Sequence, residues 1–176
     1  MKLKVKLAAI LVSTLLAGCA EYVARNLSMG EPARLPDESW TKHGNTRLDI
    51  RKALLECGSP STQLDRFIYE KSLGIKDSDD MLNHGLLTHA CMENSGYVYW
   101  RKGTFSDYCT VYRHKHLPAC QPGAVISERS VVRRLNSWHC KLETDRDYCR
   151  KHAFVPAACD DPKYSDYNNP PPECRP

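Results

Sequence analysis

Nine cysteines in 176 residues constrain the fold of this chain more than any other feature. Cys19 ends an apolar N-terminal run, and the remainder is an even set of eight: Cys57, Cys91, Cys109, Cys120, Cys140, Cys149, Cys159 and Cys174. In an exported protein such a set predicts four disulfide bonds, each contributing about 2–4 kcal/mol to stability. The inference depends on whether the chain is exported.

The first 18 residues have the composition of an export signal. Three lysines, Lys2, Lys4 and Lys6, precede an apolar segment from Leu7 to Leu16. This segment is too short for a transmembrane helix. A basic start, a short apolar region and small residues before the break are typical of a secretory signal peptide. Residues 1–18 are therefore predicted to be a signal peptide.

The stretch Leu16-Ala17-Gly18-Cys19 resembles the lipobox of bacterial lipoproteins at all four positions. This resemblance implies that the Cys19 thiol carries fatty acyl chains such as palmitate and becomes residue one of the mature lipoprotein. Ala20 stands where the inner-membrane retention signal of enterobacterial lipoproteins has Asp, which implies an anchor in the outer membrane. Several acyl chains would make membrane attachment close to permanent. The alternatives are a plain signal peptide, or a chance Cys in an apolar N-terminus.

Removal of the signal peptide almost neutralises the chain. Three lysines and no acidic residue are lost, so the formal charge falls from +4 to +1, with 22 Lys+Arg against 21 Asp+Glu. The basicity thus belongs mainly to the signal and does not indicate nucleic-acid binding. A basic middle remains, with eleven Lys+Arg against five Asp+Glu over residues 101–152. Solvated helix faces are the simplest interpretation, and a binding patch is the alternative.

The mature chain divides into a tether and two cysteine-rich segments. Residues 19–38 contain Gly and Pro without a sustained apolar period, which predicts a lipidated cysteine followed by a flexible tether. Residues 39–122 are predicted to be a helical disulfide-stapled module. Residues 123–176 are predicted to be a second cysteine-rich segment, whose proline-rich tail from 162 onward cannot hold regular helix or sheet.

Local signals predict a mainly α-helical fold. Thr46 stands three residues before Asp49 as in a capping box, and Gly58 follows as a left-handed cap, which predicts a helix over 46–57. Its apolar face comprises Ile50, Ala53, Leu54 and Cys57. A weaker helix follows Ser61, and a third runs from behind Ser78 to near Gly96. Residues 97–100 favour a short strand. The predicted fold is a small disulfide-rich helical module with at most a short strand pair.

Several spaced motifs resemble a group of small, mostly uncharacterised proteobacterial lipoproteins. These motifs are W-x-K-x-G at Trp40, C-G-x-P at Cys57, and C-M-x-x-x-G-Y at Cys91. The likeness covers residues 40–97. It implies a compartment and a related fold for that part of the chain, and it brings no known activity or functional residues.

An internal echo predicts the pairing of the cysteines. Asp107-Tyr108-Cys109 leads to P-A-C at Cys120, and Asp147-Tyr148-Cys149 leads to P-A-A-C at Cys159. Each copy is expected to close its own short loop. A bond between Cys57 and Cys91 would join the first helix to the third, and elimination leaves Cys140 with Cys174. Eight cysteines allow 105 arrangements, so the two short-loop pairs have the better support.

The basic middle supplies the candidate contact residues. Val131, Leu135 and Trp138 recur at helical spacing behind Ser127, which predicts an amphipathic helix with arginines on its outer face. Aromatic and basic residues also mix around Trp100, where they would suit a glycan or protein partner or would simply fill a core poor in Phe. The candidate contacts are Trp100, Arg101, Lys102, Arg113, Lys115, Arg129, Arg133 and Arg134.

No motif indicates catalysis, a metal or another cofactor. The seven histidines lack the C-x-x-C or H-E-x-x-H spacing of metal sites, and no G-x-S-x-G or phosphate-binding glycine loop occurs. The sequence therefore favours a lipid-anchored cell-envelope protein with a non-catalytic structural or interaction role toward an envelope protein or glycan, in the periplasm or at the cell surface. The alternatives are an enzyme acting on envelope polymers and a surface-exposed, adhesin-like lipoprotein.

Overall fold

A computed structural model describes residues 35–62, 66–75, 77–101, 103–164 and 166–176. Within these residues the fold is mainly helical with one two-stranded sheet, which confirms the predicted class. The helices are α1 (Arg47–Glu56), α2 (Arg66–Leu73), α3 (Ser78–Asn94), α4 (Phe105–Val111), α5 (Val131–Leu135), α6 (Trp138–Thr144) and α7 (Arg146–His152). The strands are β1 (Trp40–Thr41) and β2 (Val98–Tyr99). Short 3₁₀ turns occupy Pro36–Glu38, Arg113–Lys115, Pro118–Cys120, Pro156–Asp160 and Pro172–Cys174.

The predicted signal peptide, the predicted lipidation site Cys19, residues 20–34 of the predicted tether and Lys102 lie outside the described residues. Leu35–Pro176 forms one compact unit. Both predicted cysteine-rich segments, 39–122 and 123–176, contribute to it, and α1 packs against elements from each. No described helix has the length and apolar character needed to cross a membrane.

Helix α1 forms where the local signals place it. The Thr46 hydroxyl accepts a hydrogen bond from the Asp49 N–H, and the Asp49 carboxylate accepts one from the Thr46 N–H, which completes the predicted capping box. After α1 the chain reverses at Gly58, whose φ of +101° favours glycine. The predicted apolar face is buried, since Ala53 and Leu54 are 0% and 3% exposed.

The strand predicted at 97–100 finds its partner near the start of the described chain. β2 pairs antiparallel with β1, with Trp40 opposite Tyr99 and Thr41 opposite Val98. Helix α3 precedes β2 and begins at Ser78, because the Asp77 carboxylate caps it by accepting from the N–H groups of residues 79 and 80. The predicted third helix is thus present, with Asp77 as its cap.

All four predicted disulfide pairings are confirmed. The Cα–Cα distances are 5.5 Å for Cys57–Cys91, 5.3 Å for Cys109–Cys120, 5.1 Å for Cys140–Cys174 and 5.9 Å for Cys149–Cys159. Each short-loop bridge joins a helix to a following 3₁₀ turn that begins at a proline. We call residues 104–120 the first D-Y-C unit and residues 145–160 the second D-Y-C unit.

The single amphipathic helix predicted from Ser127 through Trp138 is wrong in its bounds. Ser130 caps the short helix α5, and Ser137 caps a separate helix α6 that starts at Trp138. Its predicted orientation is also wrong, because Arg134 is 3% exposed while Val131 is 49% exposed. The spacing of apolar residues predicts the wrong buried face here, because the buried Glu56 carboxylate of α1 forms an ion pair with Arg134.

Three buried apolar clusters surround α1 and α3. The largest joins α1 to the sheet through Trp40, Ile50, Ala53, Leu54, Cys57, Cys91, Met92 and Tyr97. A second contains Leu55 of α1 with the Cys140–Cys174 bridge. The third packs Leu86 of α3 against Leu117 and Ala119 of the first D-Y-C unit. Helix α1 therefore contributes to two cores on different faces and acts as the central element.

Buried carboxylates tie further segments to α1. Asp37 is 3% exposed and receives Arg47 Nε at 2.7 Å and Arg51 Nε at 2.6 Å, both from α1. Burial alone would raise the pKa of Asp37, but the hydrogen bonds from the two arginines outweigh it and lower the pKa below its usual value. The turn before β1 is thereby fixed to the central helix.

Glu56, the last residue of α1, is 6% exposed and forms ion pairs with arginines of the segment that follows the first D-Y-C unit. Its carboxylate pairs with Arg129 Nη2 at 2.6 Å and with Arg134 Nε at 3.1 Å. Arg134 Nη1 also donates to the carbonyl oxygens of Glu173 and Arg175. One arginine thus links α1, α5 and the C-terminal turn, and loss of Glu56 would leave the buried Arg134 guanidinium without a carboxylate partner.

Candidate binding site

The described candidate contact residues fall into three separate places. Arg129 and Arg134 belong to the ion pairs of Glu56. The prediction that Arg134 lies on an outer face is wrong, because its guanidinium is needed to neutralise a carboxylate inside the fold. Reversing the charge of Arg134 would consequently destabilise the fold and would not report on a partner.

A second group lies around β2 and the first D-Y-C unit. The Arg101 guanidinium carbon is 4.8 Å from the centre of the Trp100 ring, and Arg101 is exposed. Arg113 is exposed as well, whereas Lys115 forms an ion pair with Asp79 of α3. Trp100 and its arginine thus form a small surface feature, and Lys102 between them and α4 is not described.

The other aromatic residues near Trp100 pack inward. His89 of α3 lies 4.7 Å from the Trp40 ring, 5.1 Å from the Tyr99 ring and 5.1 Å from the Tyr108 ring, measured between centroids. Burial lowers the pKa of His89, against the opposing charge and hydrogen bond of Glu93. These rings therefore join the sheet and the first D-Y-C unit to α3, and core packing accounts for them.

The third place is a cleft of about 360 Å³ that contains Arg133. It opens beside the C-terminal end of α1 and is bordered by residues of α2, α3, α5, α6 and α7. Leu87 and Trp138 supply apolar wall, and Ser137 and Tyr148 supply hydroxyl groups. A volume of this size is at the small end of the range typical of ligand pockets.

The reversal after α1 shapes one wall of the cleft. A Cβ at Gly58 would lie 3.6 Å from Arg133 Cδ and 3.9 Å from His84 Cε1, so both side chains lie against the glycine backbone. Arg133 Nη1 donates to the Glu56 carbonyl oxygen at 2.6 Å and to the Glu128 carbonyl oxygen at 2.9 Å. The guanidinium is therefore held in place by backbone acceptors.

The imidazole and the nearest serine of this wall are committed to structural hydrogen bonds. His84 Nε2 lies 2.9 Å from the Gly58 carbonyl oxygen, and because a carbonyl only accepts, Nε2 carries the proton. Burial lowers the pKa of His84, although the bond to Gly58 opposes the shift, so the ring is neutral. The Ser59 hydroxyl donates to the Ser61 carbonyl oxygen at 2.6 Å.

Among the described residues, no group of three His, Cys, Asp or Glu side chains is placed to hold a metal ion. The candidate site is the cleft, and of the described contact candidates Arg133 alone lies in its wall. Sequence reasoning missed Trp138 and Tyr148 as site residues. The one available signal was the C-G-x-P motif at Cys57–Pro60, which lines the cleft.

Comparison of the chain with protein-family models, with curated proteins and with solved structures gives no match.

Proposed function

We propose that this protein is a lipid-anchored lipoprotein of the cell envelope, tethered through Cys19 to the outer membrane, with a non-catalytic binding role. The division of its cysteines carries the proposal. One cysteine, Cys19, ends a lipobox-like sequence, and the remaining eight are used in four disulfides. Stable structural disulfides require an oxidising compartment, and the lipobox supplies a route to one.

The rigidity of the described unit supports a binding role. Bridges join α1 to α3 and α6 to the C-terminal turn, and the carboxylates of Asp37 and Glu56 are neutralised inside the fold. A binding surface built on such a scaffold loses little conformational entropy when a ligand binds. In the cleft, the Ser59 hydroxyl proton is committed to a backbone carbonyl, which favours binding over nucleophilic catalysis at this serine.

Processing of Cys19 tests the proposal directly. Cells that express the full-length chain are treated with globomycin, or carry the Cys19→Ser variant, and are then fractionated. We expect unprocessed precursor or soluble protein to accumulate in place of the outer-membrane form, because the thiol is the proposed acylation site. Intact-mass analysis of the untreated protein should show acyl mass on a chain that begins at Cys19.

The Cys109→Ser/Cys120→Ser double variant is the matched control, since it replaces two cysteines outside the lipobox-like sequence. It should be processed and membrane-bound like the wild type. Membrane association that survives Cys19→Ser, or a purified native chain with no acyl mass, would contradict the proposal.

A further inference from the structure

The charges that line the cleft suggest what it binds. Arg133 is the lining cation whose charge is not neutralised, and no Asp or Glu occurs among the described lining residues. We propose that the cleft binds a small organic anion, a carboxylate or sulfonate carried on an apolar body. The inference deepens the proposed binding role by assigning it a site and a ligand class.

Arg133 differs from the other arginines around α1. Arg47, Arg51, Arg129 and Arg134 each lie within 4.0 Å of a carboxylate oxygen. The hydrogen bonds of Arg133 to described residues go from Nη1 to two backbone carbonyls, and it forms no ion pair with them. Carbonyl oxygens fix a guanidinium without cancelling its charge, so a half-buried cation is left facing the cleft.

The hydroxyl groups of the cleft add donors and no negative charge. The Ser137 hydroxyl oxygen accepts from the Cys140 N–H at 3.2 Å, and its own proton has no acceptor among the described residues. Burial raises the pKa of Tyr148, so its phenol stays protonated at neutral pH and can donate. A ligand group that only accepts hydrogen bonds, such as a carboxylate, matches this set.

The remaining wall suits an apolar body. Leu87 lines the cleft, and Leu73, 43% exposed, lies at its rim. Trp138 presents a ring that is 9% exposed, and its indole N–H has no hydrogen-bond partner among the described residues. The volume of about 360 Å³ is large enough for a small molecule and too small for a protein domain.

The test uses two probes with the same ring system, 2-naphthoate and the neutral 2-naphthalenemethanol. The full mature chain, purified in detergent micelles with ¹⁵N-labelled indoles, is titrated with each probe while the resonances of its three tryptophans are followed by NMR. Trp138→Phe assigns the reporter signal. We expect 2-naphthoate to shift the Trp138 resonance saturably and to bind at least about tenfold more tightly than the alcohol.

Two variants locate the charge that recognises the anion. Arg133→Gln should weaken 2-naphthoate binding about tenfold and leave the alcohol unchanged, because one charge-assisted bond is lost. Arg101→Gln makes the same change at an exposed arginine outside the cleft and should have no effect. If Arg133→Gln does not fold, the preference of the wild type for the anion still decides the matter.

The inference is overturned if neither probe moves the Trp138 resonance, if the two probes bind equally, or if Arg101→Gln weakens binding as much as Arg133→Gln. These failures are separate from failure of the proposed anchoring. A correctly acylated, outer-membrane protein with an inert cleft would refute only the ligand class. A protein that is not acylated at Cys19 would refute the anchor whatever the cleft binds.

Discussion

The first and second D-Y-C units share one local design and are held in the molecule differently. In each, a capped helix leads into a 3₁₀ turn that starts with proline, and a disulfide closes the loop over a sequence separation of 11 or 10 residues. The first unit inserts Leu117 and Ala119, 3% and 2% exposed, against α3. The position matching Leu117 in the second unit is Val155, which is 62% exposed.

The buried part of the second unit is the disulfide itself. Cys149 and Cys159 are 5% and 1% exposed, whereas both cysteines of the first unit are half-buried. An exposed ion pair, Arg150 Nη2 to Asp160 Oδ1 at 2.6 Å, joins the helix to the turn in the second unit. The repeated D-Y-C motif thus specifies a disulfide-closed loop in both units. The surrounding residues determine what is buried, which is Leu117 and Ala119 in the first unit and the disulfide in the second.

Removal of the bridges should give the largest difference between the units. Cys109→Ala/Cys120→Ala should lower the free energy of unfolding by about 3 kcal/mol, the loop-entropy value for a closed loop of this length. Cys149→Ala/Cys159→Ala should cost about 1–2 kcal/mol more, because it also empties buried sulfur volume. Urea unfolding monitored by circular dichroism measures both.

A second measurement treats the wild-type protein with limiting reductant. The half-buried Cys109–Cys120 bridge should be reduced before the buried Cys149–Cys159 bridge. Equal losses for the two double variants would mean that sulfur burial in the second unit contributes nothing, and the contrast between the units would fail.

Truncation of the residue before the proline should give the second-largest difference in stability between the units. Leu117→Ala should destabilise the protein by about 2–4 kcal/mol, because it opens a cavity against Leu86 of α3. Val155→Ala, at the matching exposed position, should change the unfolding free energy by less than about 0.5 kcal/mol. A large effect of Val155→Ala would show that the second unit packs against more than its bridge.

The aspartates of the two motifs should give the smallest effect, visible as a dependence on pH. Asp107 accepts from the Thr104 N–H at 2.7 Å and from the Thr104 hydroxyl at 2.9 Å, which lowers the pKa of Asp107. The side chain of Asp147 is 95% exposed and lies no closer than 3.9 Å to Arg150. At neutral pH, Asp107→Asn should therefore destabilise the protein and Asp147→Asn should not.

The sign of the pH effect follows from the lowered pKa of Asp107. The stability it provides is present above the unfolded-state pKa near 3.9 and is lost as the pH falls through the folded-state value. Urea midpoints of wild type and Asp107→Asn should accordingly converge below about pH 4. A constant gap between them down to pH 3 would contradict the capping role of the carboxylate.

Features encoded over a few residues could be predicted from the sequence. Thr46, Asp49 and Gly58 mark both ends of α1, because capping and left-handed turns depend on adjacent residues. The short-loop pairs could be found for the same reason, since the motif repeats within a dozen residues. The bridge from Cys140 to Cys174 followed by elimination once the nearer cysteines were paired.

Features set by distant partners could not be predicted. Arg134 breaks the amphipathic pattern of α5 because its partner, Glu56, lies 78 residues earlier in the chain. The strand at Val98–Tyr99 has only two residues, so its pairing with Trp40–Thr41 leaves no periodic trace. The cleft combines side chains from five helices, and no spacing along the chain brings Arg133 together with Trp138.

The reach of Arg134 to the carbonyl oxygens of Glu173 and Arg175 also sets an order of events. Ribosomes make the central helix long before they make these two acceptors. Until residue 175 has been added, the guanidinium beside Glu56 lacks its backbone partners and Cys140 lacks Cys174. An exported chain that emerges N-terminus first therefore completes the Cys140–Cys174 bridge only after its C-terminal turn has arrived.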